Sequence, residues 1–409
     1  MGNFQRNKKR YSSNRAGGFG NHRNRPQGGR GGRQGPQEMK PDFDLFIKKA
    51  KLVNEEVFVP KYKFDQFGLD SRLVDNLAKR NFTDPTPIQD EVIPHLLKTK
   101  DIIGIANTGT GKTAAFLLPL LHQTLKNFEK RVLILAPTRE LAMQIEDEIK
   151  ELAKNTSITS TIVVGGMPIY RQIERLRKPK HFIVGTTGRT LDLVNQNKIK
   201  LDSFDTIVLD EMDQMLDMGF LPDIKKILAG VRDNRHLLFF SATLDKNIES
   251  IAKEMLVDPV HISVKTGQTT DNVEQNVVRH TPEQDKFELL LDKLNEEGVS
   301  RAIIFDNTKH SVKKIEQKLL DKGHKVVAIH GNKTQSQRKK ALDAFKNGKA
   351  QIMLATNVAA RGLDIPNVSH VFNYSLPQSK EDYIHRIGRT GRAGNIGFAY
   401  TFVPTSRSH

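Results

Sequence analysis

The octapeptide Ala106-Asn107-Thr108-Gly109-Thr110-Gly111-Lys112-Thr113 lies between two apolar segments and decides the fold. The segment before it, 101–105, has the β-branched content of a short strand, and the segment after it, 114–125, has the apolar content of a helix. A glycine-rich turn between a strand and a helix is typical of a phosphate-binding loop, because glycines let backbone N–H groups turn inward around phosphate oxygens. The pattern therefore predicts a nucleotide-binding α/β domain.

The residue types within this loop fit the phosphates of a nucleoside triphosphate. Thr108, Gly109, Thr110 and Gly111 would surround the phosphate chain, and the following helix offers the positive end of its dipole. Lys112 would reach the β- and γ-phosphates, and the Thr113 hydroxyl would bind Mg²⁺. The first position is Ala106 instead of glycine, so the loop is a variant of the common pattern.

Composition narrows the functional classes. The 409 residues are too many for one compact α/β domain, and the net charge of +17 suits a polyanionic partner, with nucleic acid as the first candidate. A basic protein without a specific partner is the alternative. There is no cysteine, which excludes disulfides, zinc–thiolate sites and thiol nucleophiles. No apolar run reaches membrane-spanning length and no signal peptide is evident, so we expect a cytoplasmic protein without a membrane partner.

The first forty residues differ from the rest of the chain. They contain nine glycines, ten Lys/Arg residues and a single acidic residue, Glu38. Such a segment cannot bury a core, so residues 1–40 are predicted to be a disordered, basic, Arg/Gly-rich tail. The tail resembles segments that bind RNA phosphates and stack on bases, and a purely solubilising role is the alternative.

From Phe64 onward, short β-branched runs alternate with helical stretches, which predicts the α/β class with parallel sheets flanked by helices. We expect two tandem domains, 64–263 and 274–409, with 41–63 as a connecting segment and the polar 264–273 as a linker. Most of the motifs begin where a strand ends, the edge at which open α/β sheets bind ligands. The strands are predicted at 102–106, 132–136, 162–164, 182–184, 206–209, 237–240, 302–305, 326–329, 351–355, 370–373 and 398–402.

A second motif, Asp210-Glu211-Met212-Asp213, follows the apolar run 206–209. Carboxylates at the end of a buried strand are costly unless a cation neutralises them. Asp210 is placed to hold Mg²⁺ through water, and Glu211 to orient or deprotonate an attacking water molecule. A solvated acidic turn is the alternative, which the upstream phosphate loop disfavours.

These motifs, followed by Ser241-Ala242-Thr243 and His385-Arg386-Ile387-Gly388-Arg389-Thr390-Gly391-Arg392, occur in an order that resembles a DEAD-box RNA helicase of superfamily 2. The resemblance covers about residues 64–405. It implies two RecA-like domains and ATP and Mg²⁺ as cofactors. It also implies RNA, single-stranded or in a short duplex bound mainly through its backbone, as the substrate, with ribosomal or RNA-decay proteins as possible partners.

The resemblance assigns further nucleotide contacts. Pro85-Thr86-Pro87-Ile88-Gln89 matches the family's Q motif, in which the Gln89 amide would bond adenine bidentately. Phe82 or the upstream Phe64 would support the adenine ring, although Phe82 could equally be a core aromatic. Asp364 would bond the ribose.

The resemblance also assigns residues to RNA and to communication between the domains. Arg386, Arg389 and Arg392 recur every third residue, which on a helix would place them on one broad face. Arg389 and Arg392 would be arginine fingers, so that Lys112, Glu211, Arg389 and Arg392 form the catalytic set. Asp213, Ser241, Thr243 and His385 would couple the two domains. The expected RNA-binding residues are Thr138, Arg139, Gly165, Gly166, Thr186, Arg189, Gln335, Arg338 and Thr356.

Four positions depart from the family's usual residues. Met212 replaces an alanine, Asn107 a glutamine, Thr187 a proline and Asn357 an aspartate. None removes a group that would contact phosphate, metal or water. We expect Met212 to alter packing, Thr187 to affect an RNA-contacting turn and Asn357 to affect coupling.

The resemblance thus implies ATP hydrolysis to ADP and phosphate, coupled to RNA binding and local duplex unwinding or remodelling of RNA–protein complexes. Two alternatives remain open at this point. One is an RNA clamp or annealing chaperone that depends on the basic tail, and the other is a DNA translocase.

Overall fold

The computed structural model describes residues 46–50, 58–107, 109–244, 246–264, 271–282, 284–360, 365, 368–391 and 395–405. The predicted tail, most of the linker, Thr108, Asp364 and Arg392 lie outside the described residues. None of the helices in the described part of the chain combines the length and apolar character that crossing a bilayer requires.

The first sheet contains seven parallel strands in the order β3-β4-β2-β5-β6-β1-β7. Its inner strands are mostly apolar and fully buried, as parallel sheets covered by helices require. The strands are β1 Ile102–Ile105, β2 Val132–Ala136, β3 Ser160–Val163, β4 Phe182–Thr186, β5 Thr206–Leu209, β6 His236–Ser241 and β7 Val260–Ser263.

The second sheet contains six parallel strands in the order β10-β11-β9-β12-β13-β8. The α/β class with two mostly parallel sheets is thus confirmed. The predicted boundaries 64–263, 264–273 and 274–409 remain predictions. The strands are β8 Val273–His280, β9 Ala302–Phe305, β10 Val326–Ile329, β11 Ile352–Ala355, β12 His370–Asn373 and β13 Gly397–Pro404.

Helices cover both faces of each sheet and create separate apolar clusters among the described residues, two on the first sheet and three on the second. Two short 3₁₀ turns, Phe64–Phe67 and Leu201–Ser203, accompany them. The helices are α1 Ser71–Ala78, α2 Pro87–Leu97, α3 Lys112–Lys126, α4 Arg139–Leu152, α5 Ile169–Leu176, α6 Thr187–Asn195, α7 Met212–Asp217, α8 Leu221–Ala229, α9 Lys246–Met255, α10 Lys286–Leu294, α11 Lys309–Asp321, α12 Gln335–Lys346, α13 Asn357–Ala360 and α14 Lys380–Ile387.

Two edge strands, β7 and β8, are absent from the prediction. Strand β7 is only partly buried, and β8 contains five polar residues among its eight, so neither has the continuous apolar run of an inner strand. Strand β8 nevertheless pairs with β13 over eight residues, from Val273 to His280. The second sheet therefore starts at the last residue of the predicted linker.

The three arginines expected on one helical face do not share a helix. Helix α14 ends at Ile387, and Arg389 lies in the turn that follows, where its backbone N–H donates to the Arg386 carbonyl at 3.2 Å. The Arg386 side chain is buried and bonds Asn307, Asn357 and the Ser375 carbonyl. The three-residue spacing therefore crosses the end of α14 and does not define one helical face. Arg386 holds together buried segments of the second domain.

Candidate active site

The phosphate loop has the predicted strand–turn–helix geometry. Gly109 and Gly111 adopt positive φ angles of 82° and 91°, and Gly111 is the N-cap of α3. These left-handed conformations favour glycine because it lacks a Cβ atom. A Cβ on Gly111 would lie only 2.4 Å from the Gln89 Nε2 atom, so any other residue would also displace the Gln89 amide. Thr110 closes the turn by donating its hydroxyl to the Asn107 carbonyl at 2.8 Å.

Lys112 is 6% exposed and its ammonium group donates to the Ala106 carbonyl at 2.6 Å. That contact holds the side chain within the loop, beside Thr113 at the start of α3. A buried ammonium group is costly to desolvate unless anionic groups are near it. Asp210 and Glu211 supply such charges, since Lys112 acts on both carboxyls to lower their pKa values.

The two carboxyls after β5 occupy a dry environment. Burial raises the pKa of Asp210 to about 6 and that of Glu211 to about 7. Asp210 accepts the Glu211 backbone N–H at 3.0 Å. Glu211 adopts a left-handed backbone conformation with φ of 52°, and its buried Oε2 atom has no hydrogen-bond partner among the described residues. Strained backbone and an unsatisfied buried carboxyl are costly, and both concentrate at functional sites.

A cavity of about 490 Å³ connects these groups. Gly109, Gly111, Lys112, Thr113, Asp210 and Glu211 contribute from the first domain, and Lys346 and Arg389 from the second. Arg389 is 3% exposed, and its positive charge is close enough to lower the pKa of Glu211, against the larger effect of burial. The structure therefore brings together Lys112, Glu211 and Arg389 from the predicted catalytic set.

The two candidate adenine-stacking aromatics differ in position. Phe82 is 42% exposed and lines the cavity, with the Arg80 guanidinium 4.7 Å from its ring centre. Glu148 fixes Arg80 through two hydrogen bonds of 2.7 and 2.9 Å. Phe64 begins the 3₁₀ turn, is 4% exposed and packs in the core, so its contact with the nucleotide stays a prediction. Sequence reasoning missed Arg80 and Glu148.

Gln89 links α2 to the phosphate loop. Its Oε1 atom accepts the Thr86 backbone N–H at 2.9 Å, and its Nε2 atom donates to the Gly111 carbonyl at 3.1 Å. An amide has two donor hydrogens and two acceptor lone pairs, so each end retains one position for a purine. The hydrogen bond to Gly111 thus fixes the orientation of the Gln89 amide at the cavity wall.

Asp213 connects the acidic motif to the end of β6. Its Oδ2 atom accepts the Ala242 backbone N–H at 3.1 Å and lies 3.5 Å from the Thr243 hydroxyl. Ser241 is buried, and its hydroxyl oxygen accepts the Thr243 N–H at 3.3 Å. In the second domain, the His385 carbonyl accepts from Arg389 Nε at 3.2 Å. Asp213, Ser241 and Thr243 are thus connected to one another beside the acidic motif. His385 is connected to Arg389.

The predicted RNA-binding residues of the first domain lie together at the carboxyl edge of β2, β3 and β4. Thr138 caps α4, and Arg139 lies over Gly165 and Gly166, where a Cβ on Gly166 would come within 2.0 Å of the guanidinium. Thr186 is the N-cap of α6, and Arg189 bonds the Met167 carbonyl at 3.3 Å. Thr356 occupies the equivalent edge of the second sheet, after β11.

Gln335 and Arg338 are not exposed in this arrangement. Both are less than 10% exposed and point from α12 to Glu140 of α4. Gln335 Nε2 donates to Glu140 Oε1 at 3.0 Å, and Arg338 Nε lies 3.0 Å from the same oxygen. In this arrangement the two side chains join the two domains, and their direct contact with RNA stays a prediction. Sequence reasoning missed Glu140 itself, although it belongs to the motif that contains Thr138 and Arg139.

Three of the four departures have clear structural positions. Met212 is fully buried in an apolar layer. Thr187 is not in an exposed turn: it is the first residue of α6, fully buried, with its hydroxyl 3.9 Å from the Met215 sulfur. Asn357 donates to Asp382 at 3.1 Å and accepts from Arg386 at 2.7 Å, so its amide bridges two charged side chains.

The chain matches two family models, described as DEAD/DEAH box helicase over residues 86–251 and helicase conserved C-terminal domain over residues 285–394. It is 44% identical over 342 residues to a protein named ATP-dependent RNA helicase CshA from Listeria monocytogenes, covering 83% of this chain and 66% of the relative. The chain thus spans slightly less than two thirds of that relative's length.

Solved structures with similar folds include Saccharomyces cerevisiae Dbp5 bound to RNA and ADP BeF3. It is 34% identical with a TM-score of 0.73, over 84% of this chain and 90% of Dbp5. A second is Mss116p, with its NTE and C-tail deleted, bound to single-stranded RNA and AMP-PNP. It is 27% identical with a TM-score of 0.75, over 84% of this chain and 74% of that one.

Proposed function

The chain belongs to the DEAD-box family of ATP-dependent RNA helicases, and from this premise we propose that it is an RNA-dependent ATPase. It hydrolyses ATP to ADP and phosphate and uses the cycle to unwind short RNA duplexes locally or to remodel RNA–protein complexes. The observation that carries the proposal is the composite cavity, in which Lys112 and Glu211 from one domain face Arg389 from the other. Such a site is complete only when the two domains are together.

ATP occupies this cavity with its phosphates on the loop that contains Gly109, Thr110 and Gly111. Gln89 bonds the adenine edge and Phe82 supports its face, and both line the cavity. Lys112 neutralises the β- and γ-phosphates, and Arg389 stabilises the charge that develops during transfer. Glu211 accepts a proton from the attacking water, a role that suits a carboxyl whose pKa of about 7 is near the working pH.

Mg²⁺ fits the donor set. The Thr113 hydroxyl and the Asp210 carboxylate face one cavity, and a divalent cation would offset the burial that raises the pKa of Asp210. Within the described residues no group of three or more His, Asp or Glu side chains could form a metal site of its own. Two protein oxygens, completed by phosphate oxygens and water, are typical of Mg²⁺ in nucleotide sites.

RNA binds along the carboxyl edges of the two sheets. Thr138, Arg139, Thr186 and Arg189 contact its phosphates from the first domain together with the Gly165-Gly166 turn, and Thr356 does so from the second. Hydroxyls, backbone amides and arginines bind phosphate oxygens without reading the bases. RNA that bridges both domains favours the arrangement in which Glu140 meets Gln335 and Arg338, and this arrangement also places Arg389 in the ATP cavity.

Cellular context belongs to the same proposal. We place the protein in the cytoplasm, with ribosomal or RNA-decay proteins as candidate partners. Subcellular fractionation and purification of the native protein with its bound RNA would test both statements.

The direct test compares ATP hydrolysis without nucleic acid, with single-stranded RNA and with DNA of the same length and sequence. We expect strong stimulation by RNA alone. Equal stimulation by DNA would favour a DNA translocase, and RNA binding without any stimulation would favour an RNA clamp.

Replacing Glu140 with glutamine is expected to raise the RNA concentration for half-maximal ATPase by about 10- to 100-fold, with a smaller effect at saturating RNA. The reason is that a hydrogen bond to a charged group contributes about 1.5–3 kcal/mol, and this contact forms only when the domains meet. Steady-state ATPase as a function of RNA concentration measures the shift.

Glu146→Gln is the matched control on the same helix, because Glu146 pairs within α4 with Lys150 at 2.8 Å. An equal shift in both variants would show that Glu140 has no specific part in domain closure.

A further inference from the structure

A second concave surface lies at the opposite edge of the first sheet. It is a cavity of about 780 Å³, formed by the segments that lead into strands β2, β4, β5 and β6. The predicted RNA-binding residues of the first domain lie at the carboxyl edge of the same sheet, after β2, β3 and β4. A five-residue strand spans roughly 16 Å, so the two surfaces are separated by about the thickness of the domain. We call this cavity the basic groove.

Cationic side chains dominate the basic groove. Eight lysines and arginines line it, against two acidic residues, Glu129 and Asp205. Asp205 is already engaged, since its Oδ2 atom accepts the Arg131 backbone N–H at 3.1 Å and its Oδ1 atom lies 3.5 Å from Arg232. Lys178 and Lys198 form no ion pair or hydrogen bond through their side chains with any described residue, and both are exposed.

Like charges this close together create a positive potential that favours the binding of an anion. The pKa of His181 reflects this positive potential. Burial lowers it, and the nearby Arg131 charge lowers it further. Lys130 is half-buried at the wall, donates to Gln123 at 2.7 Å and has its pKa lowered by burial. The groove therefore presents fixed positive charge in a partly desolvated depression.

An exposed aromatic ring lies beside these charges. Phe128 is 46% exposed between the groove residues Asn127 and Glu129, and its ring meets His181 in a T-shaped contact with the ring centroids 5.4 Å apart. Cations interleaved with an exposed ring suit a nucleic-acid strand, whose phosphates and bases are bound together. An acidic peptide would use the charge but has no need for the ring.

We propose that the basic groove is a second RNA-backbone site, which holds a part of the same RNA that extends beyond the core path. This inference rests on the proposed function. Because the core site already tethers the RNA, the groove acts at high effective concentration and lengthens the residence of long RNAs. Its cations bind phosphates and Phe128 stacks on a base, and neither kind of contact reads the sequence.

The test neutralises Lys178 and Lys198 together with glutamine, two exposed changes that leave the fold intact. With a long single-stranded RNA, we expect the slope of log affinity against log salt to fall by about 1.4, since each phosphate contact to a single strand contributes about 0.7. With an oligoribonucleotide short enough to fill only the core path, affinity and ATPase stimulation should equal those of the wild type.

The matched control is the double variant Lys98→Gln with Lys325→Gln. Both lysines are exposed and lie outside the groove, and the double variant loses the same two charges as the groove variant. An unchanged salt slope in the groove variant, or an equal change in the control, overturns the proposal and leaves an acidic protein as the partner. Failure of the proposed function has a different signature, namely no RNA stimulation of the wild type at any RNA length.

A separate observation concerns residues 46–50, which precede the first domain in the chain but pack on the second. Lys48 and Gln275 of β8 exchange backbone hydrogen bonds of 3.1 and 2.8 Å in an antiparallel bridge. Lys48 also pairs with Asp271 at 2.7 Å. Phe46 is 7% exposed and packs against Tyr383 and Ile387 of α14, with its ring 4.7 Å from Tyr383.

The chain then returns to the first domain. The Lys61 and Tyr62 backbone N–H groups donate to the Asp90 carboxylate of α2 at 2.9 and 3.2 Å. Eight Cα–Cα steps separate Ala50 from Phe58, and these span roughly 26–29 Å at most. The two domains thus have a second connection besides the linker, with one end on the helix that precedes Arg389.

We infer that residues 46–50 form a tether that limits how far the domains separate and so favours closure on RNA. Phe46 is a positioning residue in this role. Phe46→Ala should raise the RNA concentration for half-maximal ATPase severalfold, leave kcat at saturating RNA unchanged and increase the radius of gyration of the protein without ligands.

Ile47→Ala is the control, since the Ile47 side chain is 54% exposed beside Phe46. The inference is overturned if the two variants have equal half-saturation constants, or if Phe46→Ala lowers kcat alone. The second outcome would assign Phe46 to local packing around α14.

Discussion

Replacing Arg389 with alanine is expected to lower RNA-stimulated kcat by about 10³- to 10⁵-fold, the range for an arginine that stabilises charge on a transferred phosphoryl group. Arg389 is 3% exposed and lines the cavity that contains Lys112 and Glu211, and its charge lowers the pKa of Glu211. The interaction strengthens as charge develops on the phosphoryl group, so the loss should appear in kcat and not in the Michaelis constants. Steady-state ATPase at saturating RNA and ATP measures it.

Lys346→Ala is the matched control, because Lys346 also lines the cavity from the second domain. If both variants lose activity equally, the cavity requires only positive charge from the second domain. If Arg389→Ala raises the half-saturation constants at unchanged kcat, Arg389 contributes to closure or binding, and the finger must be sought among residues outside the described part, with Arg392 first.

The inner strands and the chemistry at their carboxyl ends could be predicted from the sequence because both depend on local pattern. The run 206–209 followed by Asp210 and Glu211 gives a buried strand with acids at its edge wherever the remaining chain lies. Edge strands are harder to predict. Strand β8 includes Glu274, Gln275 and Asn276, and its pairing with β13 depends on residues more than a hundred positions away.

Contacts between the domains could not be predicted for the same reason. Glu140 and Gln335 are 195 positions apart, and nothing local to either indicates that their side chains meet. The family resemblance identified both segments, but it assigned Gln335 and Arg338 to RNA because their motif is associated with RNA contact. The structure adds a contact that the motif did not indicate, since both side chains are less than 10% exposed and meet Glu140.

Burial also separates the two aromatic candidates that the sequence left undecided. Phe64 has apolar neighbours in the core, whereas Phe82 is held at the cavity by Arg80, which is in turn fixed by Glu148. The contacts that hold Phe82 therefore depend on Glu148 of α4, which is far from Phe82 in the sequence. Hydrophobic pattern alone could not reveal it, because an isolated phenylalanine has the same signal in a core as in a binding site.

Replacing Glu211 with glutamine is expected to lower RNA-stimulated kcat by about 10²- to 10⁴-fold, the usual contribution of a general acid or base. The amide preserves the size of the side chain but cannot accept a proton from water. Its neutrality also removes a buried negative charge near the phosphates, so ATP affinity should be unchanged or slightly higher. Single-turnover hydrolysis with saturating RNA separates this chemical step from product release.

Asp213→Asn is the informative comparison within the same motif. Asp213 accepts from Ala242 and lies near the Thr243 hydroxyl, so its loss should weaken coupling between nucleotide and RNA. Glu211→Gln should retain ATP-dependent RNA binding and become trapped on RNA, whereas Asp213→Asn should lose the ATP dependence of binding. A Glu211→Gln variant that hydrolyses ATP at the wild-type rate would mean that the water is activated by another group, and Glu211 would then be a buried acid with a structural role.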